Sequence, residues 1–194
     1  MPKFICISGK ARHGKDTVAE ILRSELAFWG NRVLVIHFAD LLKYICKTYF
    51  GWDGNKDEAG RTLLQQVGTD CVRAQNPNFW VDFVLQIATL FADKWDYIII
   101  PDTRFPNEIS RIKEQFDAVH IRVIRDDVGK ELTQEQALHE SEVALDHVTP
   151  DHSIYNCGSL EDLKENVTKL LDKLSFKNPQ QLSIWDPIPL ADGA

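Results

Sequence analysis

No apolar stretch in these 194 residues approaches the roughly 18 that a membrane-spanning helix needs. The opening Met-Pro-Lys-Phe-Ile-Cys-Ile is too short and too soon interrupted for a secretory leader, so a soluble cytoplasmic protein is expected. No pair of cysteines has C-x-x-C spacing. Cys6, Cys46, Cys71 and Cys157 are scattered and read as buried thiols in a reducing compartment. An excess of base is also missing. With 22 Lys and Arg against 29 Asp and Glu, the net charge is −7, a poor match to general nucleic-acid binding, which neutralises phosphates with clustered cations. Phosphorylated small molecules are not excluded, because local arginines can act inside an acidic whole. Internal repeats are absent too. A chain of 22.2 kDa fits one domain with a sizeable core and a small mobile insert.

What is present begins with an apolar run, Phe4–Ser8, that breaks into Gly9-Lys10-Ala11-Arg12-His13-Gly14-Lys15-Asp16-Thr17 and then into a helical pattern. Strand, G-x-x-x-x-G-K and helix together make a phosphate-binding loop. Glycines let the backbone curl so that N–H groups point at phosphate oxygens, and the helix adds its unsatisfied donors and positive dipole end. Lys15 reaches the β- and γ-phosphates as a mobile charge. After Lys15, where Ser or Thr commonly ligates magnesium, stands Asp16, followed by Thr17. Asp16 is either a hard-cation ligand or a first-turn helix anion. Adenylate-kinase-like loops have a similar arrangement, which points toward small-molecule kinases and away from switch GTPases.

Strand and helix patterns alternate along the chain. Strands are expected at Val33–Ala39, Tyr97–Pro101, Val119–Ile124 and Ser153–Tyr155. Helices are expected after the loop to Gly30, from a cap at Asp40 to Tyr49, over Arg61–Ala74, Phe79–Asp93 and Pro106–Gln115, and from Leu160 to Leu174. The expected fold is α/β: a parallel five-stranded sheet between two helix layers, with ligands at the carboxyl ends of the strands.

Several residues have the character of chemistry. Asp102 closes an apolar strand, where a carboxylate serves a magnesium shell or caps the next turn; Arg104, Asn107 and Glu108 follow it. Arg73 lies a little over one helical turn beyond Gly68-Thr69, so hydroxyl, carboxylate and guanidinium converge there for phosphate recognition, whereas Arg61 reads as a solvated helix face. Trp80 is either core or a stacking surface for a base. Arg122 and Arg125 open a charged stretch to His147, which reads as a closing lid or a surface loop. His139, His147 and His152 share no helical face, so zinc is not expected.

The loop at Gly9–Thr17, F-A-D-L-L-K at 38–43, R-T-L-L-Q-Q-V-G-T-D-C-V-R at 61–73, D-T-R-F-P-N-E at 102–108, H-E-S-E at 139–142 and N-C-G-S-L at 156–160 occur in this order. Together they resemble the phage-type deoxynucleoside monophosphate (dNMP) kinases, and more distantly the animal-type phosphomevalonate kinases, over roughly residues 3–172. The resemblance implies a P-loop fold that transfers the γ-phosphoryl group of ATP to a dNMP with Mg²⁺. It places ATP on Gly9, Lys10, Ala11, Arg12, His13, Gly14, Lys15, Asp16 and Thr17, with Asn156 and Gly158 toward the adenine. The acceptor would meet Asp40, Lys43, Arg61, Gly68, Thr69, Asp70, Arg73, Trp80, Arg104 and Glu108, on helices within about 40–93 and at the third strand. Arg122, Arg125, His139, Ser141 and Glu142 would belong to a lid at about 125–147, and Asp16, Thr17 and Asp102 would support the metal. Lys15, Arg73, Arg104 and Arg125 would carry the catalysis. Other phosphorylated acceptors, such as phosphomevalonate or dephospho-CoA, and a non-catalytic nucleotide-binding module remain open alternatives.

The resemblance stops before the tail. Kinase pattern is expected over 1–174, and 175–194 as an extended terminus. Gln181-Leu182-Ser183-Ile184-Trp185 resembles the short peptide with which replication proteins dock on the bacterial sliding clamp. The alternative is that these side chains fold back on the body or on a second subunit of a homodimer.

Overall fold

A computed structural model describes residues 1–126, 137–174 and 176. Five parallel strands are arranged in the order β2-β3-β1-β4-β5: β1 Lys3–Ser8, β2 Val33–Val35, β3 Tyr97–Ile100, β4 Ala118–Ile124 and β5 His152–Tyr155. The helices are α1 Lys15–Phe28, α2 Ala39–Tyr49, α3 Glu58–Gln65, a π-helical segment Gln66–Arg73, α4 Phe79–Leu90, α5 Pro106–Gln115, α6 Glu140–Val143 and α7 Leu160–Lys173. Alternation along the strands sorts the core into two layers. Ile5, Ile7, Ile99, Ile121 and Val123 pack with Val18 and Leu22 of α1 and Val167 and Leu171 of α7. Phe4, Cys6, Ile98 and Ile100 face the other way, against Trp80 and Val84 of α4 and Ile112 of α5. Both faces of the sheet are therefore covered, as its continuous apolar strands require. Among the described residues no helix is long and apolar enough to cross a membrane.

The expected α/β sheet is present, with four local corrections. The second strand stops at Val35 rather than Ala39. Ile36 still donates to Ile99 O at 3.0 Å, but the N–H groups of Phe38 and Ala39 then turn to the Asp102 carboxylate, at 3.0 and 2.9 Å. Asp40 is accordingly not the cap of α2; it lies inside the helix, and its carboxylate accepts from His37 N at 3.0 Å. The expected helix over Arg61–Ala74 begins earlier, at Glu58, and changes to π-helix at Gln66. The helix from Phe79 ends at Leu90 rather than Asp93.

At the far end of the sheet Phe176 remains part of the body. Its carbonyl accepts from Tyr97 Oη at 2.9 Å, and Lys3 Nζ sits 4.4 Å from its ring centroid. The clamp-like Gln181–Trp185 segment lies outside the described residues.

One buried polar network ties β1 to β4. His120 is 1 % exposed, and its Nε2 meets Ser8 Oγ at 2.7 Å. Its backbone N–H donates to Asp151 Oδ2 at 2.7 Å, and Lys113 Nζ donates to the same oxygen at 2.6 Å. Burial, with Arg122 nearby, lowers the His120 pKa to about 4. The unfolded chain takes up this proton near pH 6.5 and the folded chain does not. Stability from this residue is therefore complete above about pH 6.5 and declines as pH falls toward 4. Between pH 7 and 5 the wild type should lose about 2 kcal/mol more unfolding free energy than His120→Gln. Urea titrations at the two pH values measure this, and equal losses would contradict it.

Candidate functional site

The phosphate-binding loop leaves the central strand β1 and enters α1 under close confinement. Gly9 has φ +146°, and a Cβ there would lie 2.5 Å from Val123 O. Gly14 has φ +92°, and its Cβ would lie 2.4 Å from Asn156 Nδ2. Only glycine satisfies both conformation and clearance at these places. Asn156 closes the frame: its side chain donates to His13 O at 2.9 Å, and its own N–H donates to Ile124 O at 2.8 Å. The N-terminus of α1 has no side-chain cap, which leaves backbone donors for an anion. Lys15 Nζ turns back onto Gly9 O and Lys10 O, both at 2.8 Å. Burial, assisted by the Arg104 charge, pushes the Lys15 ammonium down to about 8.

Carboxylates line the side of the loop toward β2. Asp16 is exposed and faces His37 Nε2 at 3.5 Å; this contact lowers the Asp16 pKa and raises that of His37. Asp102, at the end of β3, holds the start of α2 through the two bonds described above. Asp16, Thr17 and Asp102 all line the same cleft as Lys15. Among the described residues no three His, Cys, Asp or Glu side chains form a metal cluster. Magnesium does not need one, since it is commonly held by one or two carboxylates with substrate phosphates and water. Hard oxygen donors beside a phosphate loop fit such an ion.

Two arginines enter the opposite wall, and each carries an acid. Arg73 ends the π-helical segment. Its Nη2 pairs with Glu108, its Nη1 donates to Pro77 O at 3.1 Å, and its guanidinium carbon lies 3.9 Å from the Phe105 ring centroid. Arg104 follows β3, pairs with Glu142 and donates to Ser141 O at 3.1 Å. Glu108 is 1 % exposed, and burial raises its pKa. These walls enclose a cleft of about 1070 Å³ at the carboxyl edge of the sheet.

Most of the residues singled out from sequence meet in that cleft. Ala11, Arg12, Gly14 and Lys15 line it from the loop, together with Lys43, Arg61, Gly68, Thr69 and Arg73. Arg125, Ser141, Glu142 and Asn156 complete the rim. Gly9, Lys10, His13 and Arg122 line a second, smaller cavity of about 250 Å³ instead. Lys10 Nζ donates to Glu142 O at 2.6 Å and pairs with Asp146. Arg122, expected in a lid, is a β4 residue whose Nη2 donates to Leu145 O and Val148 O at 2.6 and 2.7 Å. Asp40, Asp70, His139 and Gly158 line neither cavity. Asp70 and His139 face each other at 3.5 Å, and His139 caps α6 by accepting from Ser141 N at 3.2 Å.

Trp80 touches the cleft but is 3 % exposed, and its indole donates to Gly68 O at 3.0 Å, so it offers no open face for a base. Of the two readings, core holds. His37, Leu42, Lys56, Leu64 and Gln65 also line the cleft and were missed. Leu42 and Leu64 belong to the motifs at 38–43 and 61–73, yet an apolar residue on an amphipathic helix gives no sequence sign that it lines a cleft. His37 follows a strand end that was placed too late.

A parallel sheet with a phosphate loop on its central strand, and arginines facing that loop, defines a P-loop nucleotide kinase. The profile of the deoxynucleotide monophosphate kinases matches residues 36–167, and the chain belongs to that family. No curated protein sequence matches. Among solved structures, an unliganded sugar kinase from Janibacter sp. is 12% identical with a TM-score of 0.52, covering 91% of this chain and 96% of its own, and shares the fold. The APS kinase of Mycobacterium tuberculosis, in complex with AMPPNP and APS, is 13% identical with a TM-score of 0.49 and covers 90% of this chain and 98% of its own. A mutant of that enzyme is 15% identical, with a TM-score of 0.47, over 88% and 97% of the two chains.

With the Lys15 cation as the phosphate-binding form, its lowered pKa would hold nucleotide affinity below about pH 8 and weaken it as pH rises through that value. In the free enzyme, kcat/KM for ATP should decline with an apparent pKa near 8, and Lys15→Arg should remove that limb below pH 10. A flat wild-type profile from pH 7 to 10 would refute the assignment.

Proposed function

We propose that this protein transfers the γ-phosphoryl group of ATP to a deoxynucleoside monophosphate, giving the diphosphate. The observation that carries this reading is the pair of arginines, Arg73 and Arg104, set in one cleft with Lys15 and the phosphate loop. A nucleotide-binding module has no need of two fixed guanidinium groups facing its triphosphate site, whereas a phosphorylated acceptor does. The family match to residues 36–167 supports a monophosphate as that acceptor.

In this reading the loop backbone and the uncapped α1 terminus hold the β- and γ-phosphates. Lys15 leaves its two carbonyl partners for the phosphate oxygens. Arg73 grips the acceptor phosphate with the part of its fork that Glu108 and Pro77 leave free. Arg104 shares the cleft with Lys15 and its charge acts on that lysine, which supports a role at the migrating group. Arg125, at the end of β4, adds positive charge from the other side. Asp16 and Asp102 would hold Mg²⁺, which when bound neutralises charge on the phosphates. The acceptor phosphate is itself the nucleophile, so no covalent enzyme intermediate is required. Positioning and charge compensation are the catalysis.

A coupled ADP-release assay with ATP, Mg²⁺ and each of dAMP, dGMP, dCMP, dTMP and hydroxymethyl-dCMP tests the reading, with ribonucleotides and phosphomevalonate alongside. Release should rise with at least one dNMP. Lys15→Ala should lower kcat by at least about 100-fold, and Arg73→Ala should raise the acceptor KM by about 10- to 100-fold. Release with phosphomevalonate alone, or with no acceptor, would overturn the dNMP assignment.

A further inference from the structure

Glu108 is sealed in the cleft wall in the first turn of α5, and its two oxygens have different partners. Oε2 accepts from the backbone N–H groups of Arg104 at 2.7 Å and Phe105 at 3.0 Å. Oε1 accepts from Nη2 of Arg73, which arrives from the π-helical segment. The Phe105 ring, whose backbone Glu108 fixes, lies beneath the Arg73 guanidinium. A single carboxylate thus determines the edge of one arginine, the platform under its face and the backbone position of the other arginine.

We infer that Glu108 is a positioning residue that sets the distance and orientation between Arg73 and Arg104, and with them the seat of the acceptor phosphate, without touching the acceptor. The identity of that acceptor rests on the function proposed above. Two physical considerations separate this role from simple helix capping. At this N3 position of a capping box a neutral Gln supplies the same oxygen to the N-cap backbone without burying a charge. A buried carboxylate is costly unless paired, and the partner here that requires a charge is Arg73. An arginine also has many rotamers, so ordering it before binding removes that entropy cost from the binding step.

The test uses Glu108→Gln. Its carbonyl oxygen still caps Arg104 N and Phe105 N, while its NH₂ faces the donors of Arg73 and releases them. Steady-state constants would be compared for wild type, Glu108→Gln, Arg73→Ala and the double variant. Dissociation constants for inorganic phosphate would be measured in parallel, with the loop saturated by a non-hydrolysable ATP analogue. Glu108→Gln should raise the acceptor KM and the phosphate Kd about 10-fold, leave KM for ATP within about twofold, and have no further effect in the Arg73→Ala background. Glu108→Asp keeps the charge but shortens the reach, and it should show the same signature if the Gln variant does not fold. An unchanged acceptor KM and phosphate Kd, or the same factor again in the Arg73→Ala background, would overturn the inference. The phosphate titration does not depend on the nucleoside. A wild type inactive with every dNMP would therefore sink the proposed function and still leave Glu108 to be judged.

Discussion

Everything at the site is referred to the closeness with which the loop after β1 is held by its neighbours. Gly9 has no room for a side chain against Val123 O, and Gly14 has none against Asn156. Because β1 lies between β3 and β4, the same sheet edge presents Asp102 and Arg104 on one side and Arg125 on the other. The loop backbone is thus fixed relative to every group that could meet a phosphate. A displacement of about 1 Å in such a constellation is enough to cost much of its catalytic power. Glycine at these two positions therefore acts through the geometry of residues far away in sequence.

Net charge and function would conflict if the acids were spread at random. The cleft and the smaller cavity beside it resolve this by pairing: Arg73 with Glu108, Arg104 with Glu142, Lys10 with Asp146, and Asp16 with His37. Pairs of this kind contribute little net stability, because desolvation offsets most of the attraction. What they supply is orientation. Lys15 is not paired in this way; its contacts are neutral carbonyl oxygens. Turning it toward a phosphate breaks no ion pair, and its lowered pKa follows from burial and the neighbouring Arg104 guanidinium.

The legible parts of the sequence were those whose cause is local. The glycines and lysine of the loop, the apolar run of β3, Pro106 at the start of α5 and the spacing of α7 declare themselves within a few residues. The errors occur where a distant side chain decides. β2 ends early because Asp102, more than sixty residues away, takes the N–H groups of Phe38 and Ala39. Trp80 reads from sequence first as core and less so as a base-stacking surface, and the bond of its indole to Gly68 O places it in the core. Glu108 was expected against the acceptor because it belongs to a charged motif; only the fold shows both its oxygens turned to protein donors.

The charged stretch that begins at Arg125 illustrates the same limit in a different way. Its length and polarity read as a lid; residues 127–136 of it lie outside the described residues, and residues 139–148 are fastened. Arg122 holds Leu145 O and Val148 O, Lys10 holds Glu142 O and Asp146, and Arg104 holds Ser141 O and Glu142. A segment fixed by cations from β4, the phosphate loop and the end of β3 is a wall of the site. The loop lysine and the arginine after β3 share Glu142 as partner, one through its carbonyl and the other through its carboxylate. A shift of α6 would therefore be felt on both sides of the phosphate path at once. Ser141 and Glu142 line the cleft held in that link by Arg104 and Lys10.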